Sequence, residues 1–258
     1  VTPQLIAGVS VIGLVMGGLL DPLGQRLAER SLHEQRQRDE AAAGPSAGLS
    51  QPPHSPAQLT EPPRLLPAGV SGVRTVGAAL VTGILAGAGA HRFGAYLVLV
   101  PFTLFFSVLV VVSSTDLSHG LIPRRLVYPA FVGILVLLVA VAAVDGEWRR
   151  LINAGIGAAA SFAVLFAIWW LAPRGIGFGD VRLSALIGLA TGWIGLLDVY
   201  VAVASAFILG LVIGITISAL RGTGRRTRIP FAPALAAGAI VAVLWGAPIV
   251  QAVLHRPV

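Results

Sequence analysis

Eight stretches of roughly 17 to 22 residues, nearly free of charge, run along this chain at about 4–20, 75–90, 96–115, 126–144, 151–172, 181–197, 199–220 and 230–250. A helix of about 20 residues crosses a hydrocarbon core ~30 Å thick. Within lipid the backbone must satisfy its own hydrogen bonds, which leaves helices or closed barrels. Barrel strands would alternate polar and apolar residues in segments of about 10, and this chain has no such pattern. The expected fold is therefore all-α, a polytopic integral membrane protein with about eight transmembrane helices. Composition agrees, with 56% apolar residues and a mean hydropathy of +0.86.

All 18 cationic side chains are Arg, and the formal net charge is +7. In a polytopic chain such a surplus sets topology and meets anionic lipid. No basic helix is interleaved with aromatics, so nucleic acid is not an expected partner. The connectors 21–74, 116–125, 173–182 and 221–229 hold 14 Arg, and the alternate set with the C-terminal tail holds four. The positive-inside rule places the first set in the cytoplasm and both termini outside. The second span, TVGAALVTGILAGAGA, is the weakest by hydropathy, and the Arg asymmetry supports it. No positive charge precedes the first apolar run, which points to a first helix that stays rather than a cleaved signal. Seven of the 17 prolines fall in 31–67, so that connector reads as a short amphipathic start followed by a disordered linker. The expected organisation is a first transmembrane helix over 1–27, a cytoplasmic Pro/Ala/Ser-rich loop over 28–72, and a helical membrane domain over 73–258.

Two carboxylates interrupt this apolar pattern at matching depth. Asp116 closes the third span in VVVSSTDLSHGLIPRRL, and Asp180 opens the sixth in RGIGFGDVRL. The remaining acids lie in the long connector, at its start (Asp21), or on the outer face (Asp145, Glu147, Asp198). Only about 17 residues separate Asp180 from Asp198, near the lower limit for crossing, which draws Asp180 toward the membrane edge. Ionisable residues at such depth are costly and mark functional sites whose partner should be sought. Gly175, Gly177 and Gly179 permit positive φ and the close approach of another backbone, such as an extended peptide beside the carboxylate. Each Asp also has a plainer reading: Asp180 as a helix cap after a glycine turn, and Asp116 as a loop residue before the Ile122-Pro123 break.

The five His (33, 54, 91, 119 and 255) lack ligand spacing, and there is no Cys. Disulfides, thiol catalysis and Cys-ligated zinc are therefore excluded, and no metal site is expected. His119 is placed to tune Asp116 or to sit in solvent. Arg182 snorkels to headgroups or supports Asp180.

DLSHGLIPRRL (116–126) resembles the first-aspartate motif of bacterial type IV prepilin peptidases, membrane aspartic proteases of Gly-x-Gly-Asp type. GFGDVRLSALIGLATGW (177–193) is similar to their second motif, and RIPFAPALAAGAIVAVLWG (228–246) to their Ile-Pro-Phe-x-Pro segment. The resemblance implies an aspartic endopeptidase of the bacterial inner membrane that cuts the leader from prepilin or pseudopilin substrates at the cytoplasmic face. It implies Asp116 and Asp180 as the catalytic pair, and no metal or organic cofactor. Gly177, Gly179, Pro123, Pro230 and Pro233 are the candidate substrate-binding residues, Pro230 and Pro233 equally serving to start the last helix. Bifunctional members carry an Asn-Val-type stretch and paired CxxC motifs. Here VMGGLLDPLGQRLAER stands in that place without Cys, so methyl transfer is not expected. A proton-coupled transporter and a catalytically silent scaffold are the alternatives. Helix ends suggest a division of labour: Asp180, at an N-terminus, as general base, and Asp116, at a C-terminus, holding the shared proton.

Overall fold

The computed structural model describes residues 3–43, 68–93, 97–172, 175–221 and 231–254. Eight α-helices account for nearly all of them: α1 (Pro3–Ala43), α2 (Ala68–Phe93), α3 (Leu99–His119), α4 (Arg124–Asp145), α5 (Trp148–Leu171), α6 (Phe178–Ile194), α7 (Leu196–Arg221) and α8 (Ala232–Leu254). Seven are long and apolar enough to cross a membrane, whereas α6 has only 17 residues. At 1.5 Å per residue α6 extends about 25 Å, short of a ~30 Å core. The all-α polytopic architecture expected from hydropathy is found, with seven rather than eight helices of spanning length among the described residues.

The short helix lies inside the bundle. Val181, Leu183 and Leu186 of α6 are fully buried, as are Phe105, Phe106 and Leu109 of α3. A helix apolar on every side belongs in an interior, and α3 and α6 form that interior here. The surrounding helices expose Ile12, Ile84, Val132, Ile152 and Leu211, the apolar exterior that suits a hydrocarbon solvent.

Local chemistry sets the helix boundaries near the two carboxylates. Gly120 adopts φ 63°, a left-handed conformation favouring glycine, and its N–H donates to the Asp116 carbonyl at 2.8 Å. The chain then turns through Leu121 and Ile122 to Pro123, which is buried and extended (φ −66°, ψ 119°) and precedes α4. Proline suits that place because the first turn needs no N–H from it. Helix α6 starts three residues earlier than hydropathy suggests, so Asp180 lies within its first turn.

Small residues let two helix pairs approach closely. A Cβ on Gly13 would lie 2.6 Å from the Ala86 Cβ, and one on Gly17 would lie 2.7 Å from the Thr82 hydroxyl. Of the glycines that weaken the second span in hydropathy, Gly83 and Gly87 face α1 in the same way. An added Cβ there would meet the Ser10 carbonyl oxygen and hydroxyl respectively, so small side chains replace apolar bulk. Helices α5 and α6 meet through Gly157, Gly188 and Gly192, and the Ser184 hydroxyl donates to the Ser161 carbonyl at 3.2 Å.

Helix α1 continues through Pro22 to Ala43. The stretch 28–72 therefore begins as helix, and Arg125 at the start of α4 pairs with Glu34 at 2.8 Å. Residues 44–67, with all seven prolines of that stretch, lie outside the described residues.

Candidate active site

Asp116 sits in the last turn of α3, buried to 7% exposure, and its Oδ2 accepts the N–H of Ala232 at 3.1 Å. Ala232 is the first residue of α8. Asp180 is equally buried in the first turn of α6. Its Oδ2 accepts the Gly177 N–H at 3.1 Å, and its own N–H donates to the Gly177 carbonyl at 3.0 Å. Asp180 thus does cap α6, from the third helical position, while Asp116 belongs to α3 rather than to the loop after it.

Side-chain packing and hydrogen bonding draw the two motifs toward one end of the bundle. Ile122, six residues beyond Asp116, packs on Gly179, where an added Cβ would lie 2.9 Å from the Ile122 Cβ. Trp169 near the end of α5 meets Phe178 at the start of α6, with ring centroids 5.0 Å apart. The ends of α3 and α5 and the starts of α6 and α8 are joined by these contacts and by the Asp116–Ala232 bond.

Several sequence expectations are refined here. Positive φ among the described glycines occurs at Gly120 and Gly146, not in the glycine run before Asp180. Gly177 is extended (φ −73°), and an added Cβ would lie 3.2 Å from Asp180 Oδ2, so its smallness admits the capping carboxylate. Gly179 does permit a close approach, and the neighbour is this chain's own Ile122. Pro123 forms the turn into α4. Pro233 lies in the first turn of α8 and lines a cleft of about 490 Å³ with Ser113, Ser114, Leu117 and Ser118 of α3. Pro230 lies outside the described residues. The Arg182 guanidinium rests over the Phe178 and Tyr128 rings, 4.5 and 5.5 Å from their centroids. That cation–π arrangement braces the start of α6 against α4.

The helix-end contrast between the two carboxylates is smaller than the sequence suggests. Asp116 lies at the C-terminus of its own helix, yet it accepts a hydrogen bond from the N-terminus of α8. Each carboxylate therefore meets one helix N-terminus, and only Asp116 also lies at a helix C-terminus.

A further buried carboxylate is not apparent from the sequence. Asp21, placed there at the start of a connector, has no exposed surface and is held inside the helical part of the fold. Its Oδ2 accepts the Thr75 hydroxyl at 2.9 Å and lies 3.8 Å from Arg74 Nε. The available signal is the i, i+4 polar pair Asp21 and Gln25, with Gln25 also buried.

The family model for the type IV leader peptidase family matches residues 103–215, spanning both Asp motifs. A prepilin leader peptidase/N-methyltransferase of Bacillus subtilis is 37% identical over 178 residues, covering 67% of this chain and 67% of that protein. Proteins of the same name from Xanthomonas campestris and Pseudomonas putida are 32% and 33% identical, covering 68% and 66% of this chain. The matches span only 60% and 57% of the lengths of those two relatives. No solved structure matches the chain.

Proposed function

Because the chain belongs to the type IV leader peptidase family, we propose that it is a membrane aspartic endopeptidase that removes the leader from prepilin-like proteins, with Asp116 and Asp180 as its catalytic pair. The observation that carries this reading is the burial of both motif carboxylates at helix ends that Ile122, Gly179 and Ala232 tie together. Two neighbouring buried carboxylates share one proton, because ionising both in a site of low dielectric is unfavourable. The ionised partner takes a proton from water as it attacks the scissile carbonyl, and the protonated partner donates to the carbonyl oxygen. As the C–N bond of the gem-diol intermediate breaks, the proton taken from water passes to the leaving amine, and the other carboxylate takes back a hydroxyl proton, which restores the shared proton. These steps require the two side chains and water.

The test is direct. Purified protein in lipid is expected to shorten a prepilin-like peptide at a Gly–hydrophobic junction, read by mass spectrometry. The same spectrum tests methyl transfer: with S-adenosylmethionine present, the new N-terminus should stay unmethylated, in keeping with a chain that lacks Cys. An uncut peptide would reject the peptidase reading, and a methylated product would reject the single-activity reading.

We place cleavage at the cytoplasmic face, in the bacterial inner membrane, on the strength of the Arg asymmetry. Reporter fusions after Arg125, Arg182 and Arg228 should signal cytoplasm, and one after Glu147 the outside. The opposite pattern would move the site to the other face.

A further inference from the structure

We propose that Asp21, Arg74 and Gln25 are positioning residues for the reaction, forming a polar clamp that holds the turn of α3 carrying Asp116; the proposal rests on the peptidase reading above. The clamp joins three helices. From α1, Asp21 accepts the Thr75 hydroxyl of α2 and pairs with Arg74. Arg74 Nη1 donates to the Ser118 hydroxyl of α3 at 3.2 Å. One turn beyond Asp21, Gln25 Nε2 donates to the Ser114 hydroxyl at 3.4 Å. Ser118 in turn donates to the Ser114 carbonyl at 2.8 Å, leaving its oxygen to accept from Arg74.

The register gives these contacts their purpose. Ser114 and Ser118 stand two residues before and after Asp116, and two helical residues subtend about 200°. The clamp therefore grips the face of α3 opposite Asp116, whose carboxylate is fixed on the other side by Ala232 of α8. With both faces held, the carboxylate keeps one direction, and a shift of about 1 Å can lower turnover about a hundredfold. A largely buried ion pair is a weak means of adding stability, because desolvating both charges offsets their attraction. Positioning is the stronger reason for this Asp–Arg pair beside a reacting group.

The experiment compares the full chain in proteoliposomes with Asp21→Ala/Arg74→Leu, which leaves neither charge buried alone, and with Gln25→Leu, which alters no charge. Both variants should retain the parent melting temperature within a few degrees. In the double variant kcat should fall about tenfold or more, and in Gln25→Leu about threefold or more, with KM within twofold. Asp21→Glu should recover part of the turnover. A kcat within twofold of the parent in a folded variant, or a loss confined to KM, would overturn the proposal. Should the double variant fail to fold, Gln25→Leu decides by the same criteria.

A second readout is independent of cleavage. The chain has no Cys, so spin labels on Leu117→Cys and Leu171→Cys report the separation of the α3 and α5 ends uniquely. The parent should give one narrow distance, and loss of the clamp should broaden or shift it. An unchanged distance in both variants would overturn the clamp. A parent that cleaves nothing, yet whose label distance responds to loss of the clamp, would reject the peptidase reading and keep the clamp.

Discussion

Asn in place of Asp116 or Asp180 is expected to reduce cleavage about a thousandfold or more while the protein still inserts and folds. The two effects separate because Asn keeps the size and one acceptor oxygen of Asp. Asn at 116 can still accept the Ala232 N–H, and Asn at 180 can still accept the Gly177 N–H. The structural cost should be about 0.3 to 1 kcal/mol, the range for losing a charge at a helix N-terminus. The chemical cost is far larger, since an amide can neither take the proton from water nor hold the shared one, and general acid–base catalysis contributes about 10² to 10⁴ in rate. Groups that act as one unit are not additive, so the double variant should be little worse than either single one. Cleavage assays on the purified variants check this. A folded Asp180→Asn protein with substantial activity would remove Asp180 from the chemistry and leave it only as a cap.

Gly188→Val is expected to cost more stability than any conservative change at the carboxylates. A Cβ on Gly188 would overlap the Gly157 carbonyl oxygen and the Ser161 hydroxyl, and one on Gly157 would overlap the Gly188 carbonyl oxygen. Neither backbone can yield without separating α5 from α6, and overpacking of this kind costs about 1 to 3 kcal/mol or more. The helix that would move carries Asp180, so activity should fall together with the melting temperature. Gly155 on α5 is the internal control: nothing lies within 4 Å of its added Cβ, so Gly155→Ala should leave both unchanged. Thermal unfolding in detergent measures the difference, and equal melting temperatures for Gly188→Val and the parent would contradict the packing described here.

How much was legible in the sequence follows from how local each signal is. Apolar stretches of membrane length locate the helices, because lipid leaves the backbone few choices. The glycine-rich second span is the weak point, since hydropathy counts apolar bulk and takes no account of close packing, such as Gly83 and Gly87 against Ser10. Asp116 and Asp180 were visible because charges are rare at span ends. Their surroundings were not, because each depends on residues distant in the chain. Ile122 fills the space over Gly179, and the start of α8 meets Asp116 from 116 positions away. Asp21 looked like the first residue of a connector because the apolar run stops there. Its burial is a tertiary fact, set by Arg74 and Thr75 some 54 residues on.

The central claim is that Asp116 and Asp180 work as one pair sharing a proton, and the pH dependence of kcat/KM for peptide cleavage in proteoliposomes tests it most directly. With both carboxylates protonated no base remains, and with both ionised no acid remains, so activity should rise and then fall, with limits that belong to the pair. A profile with a single limb across the range in which the folded protein is stable would contradict the shared proton and the mechanism built on it.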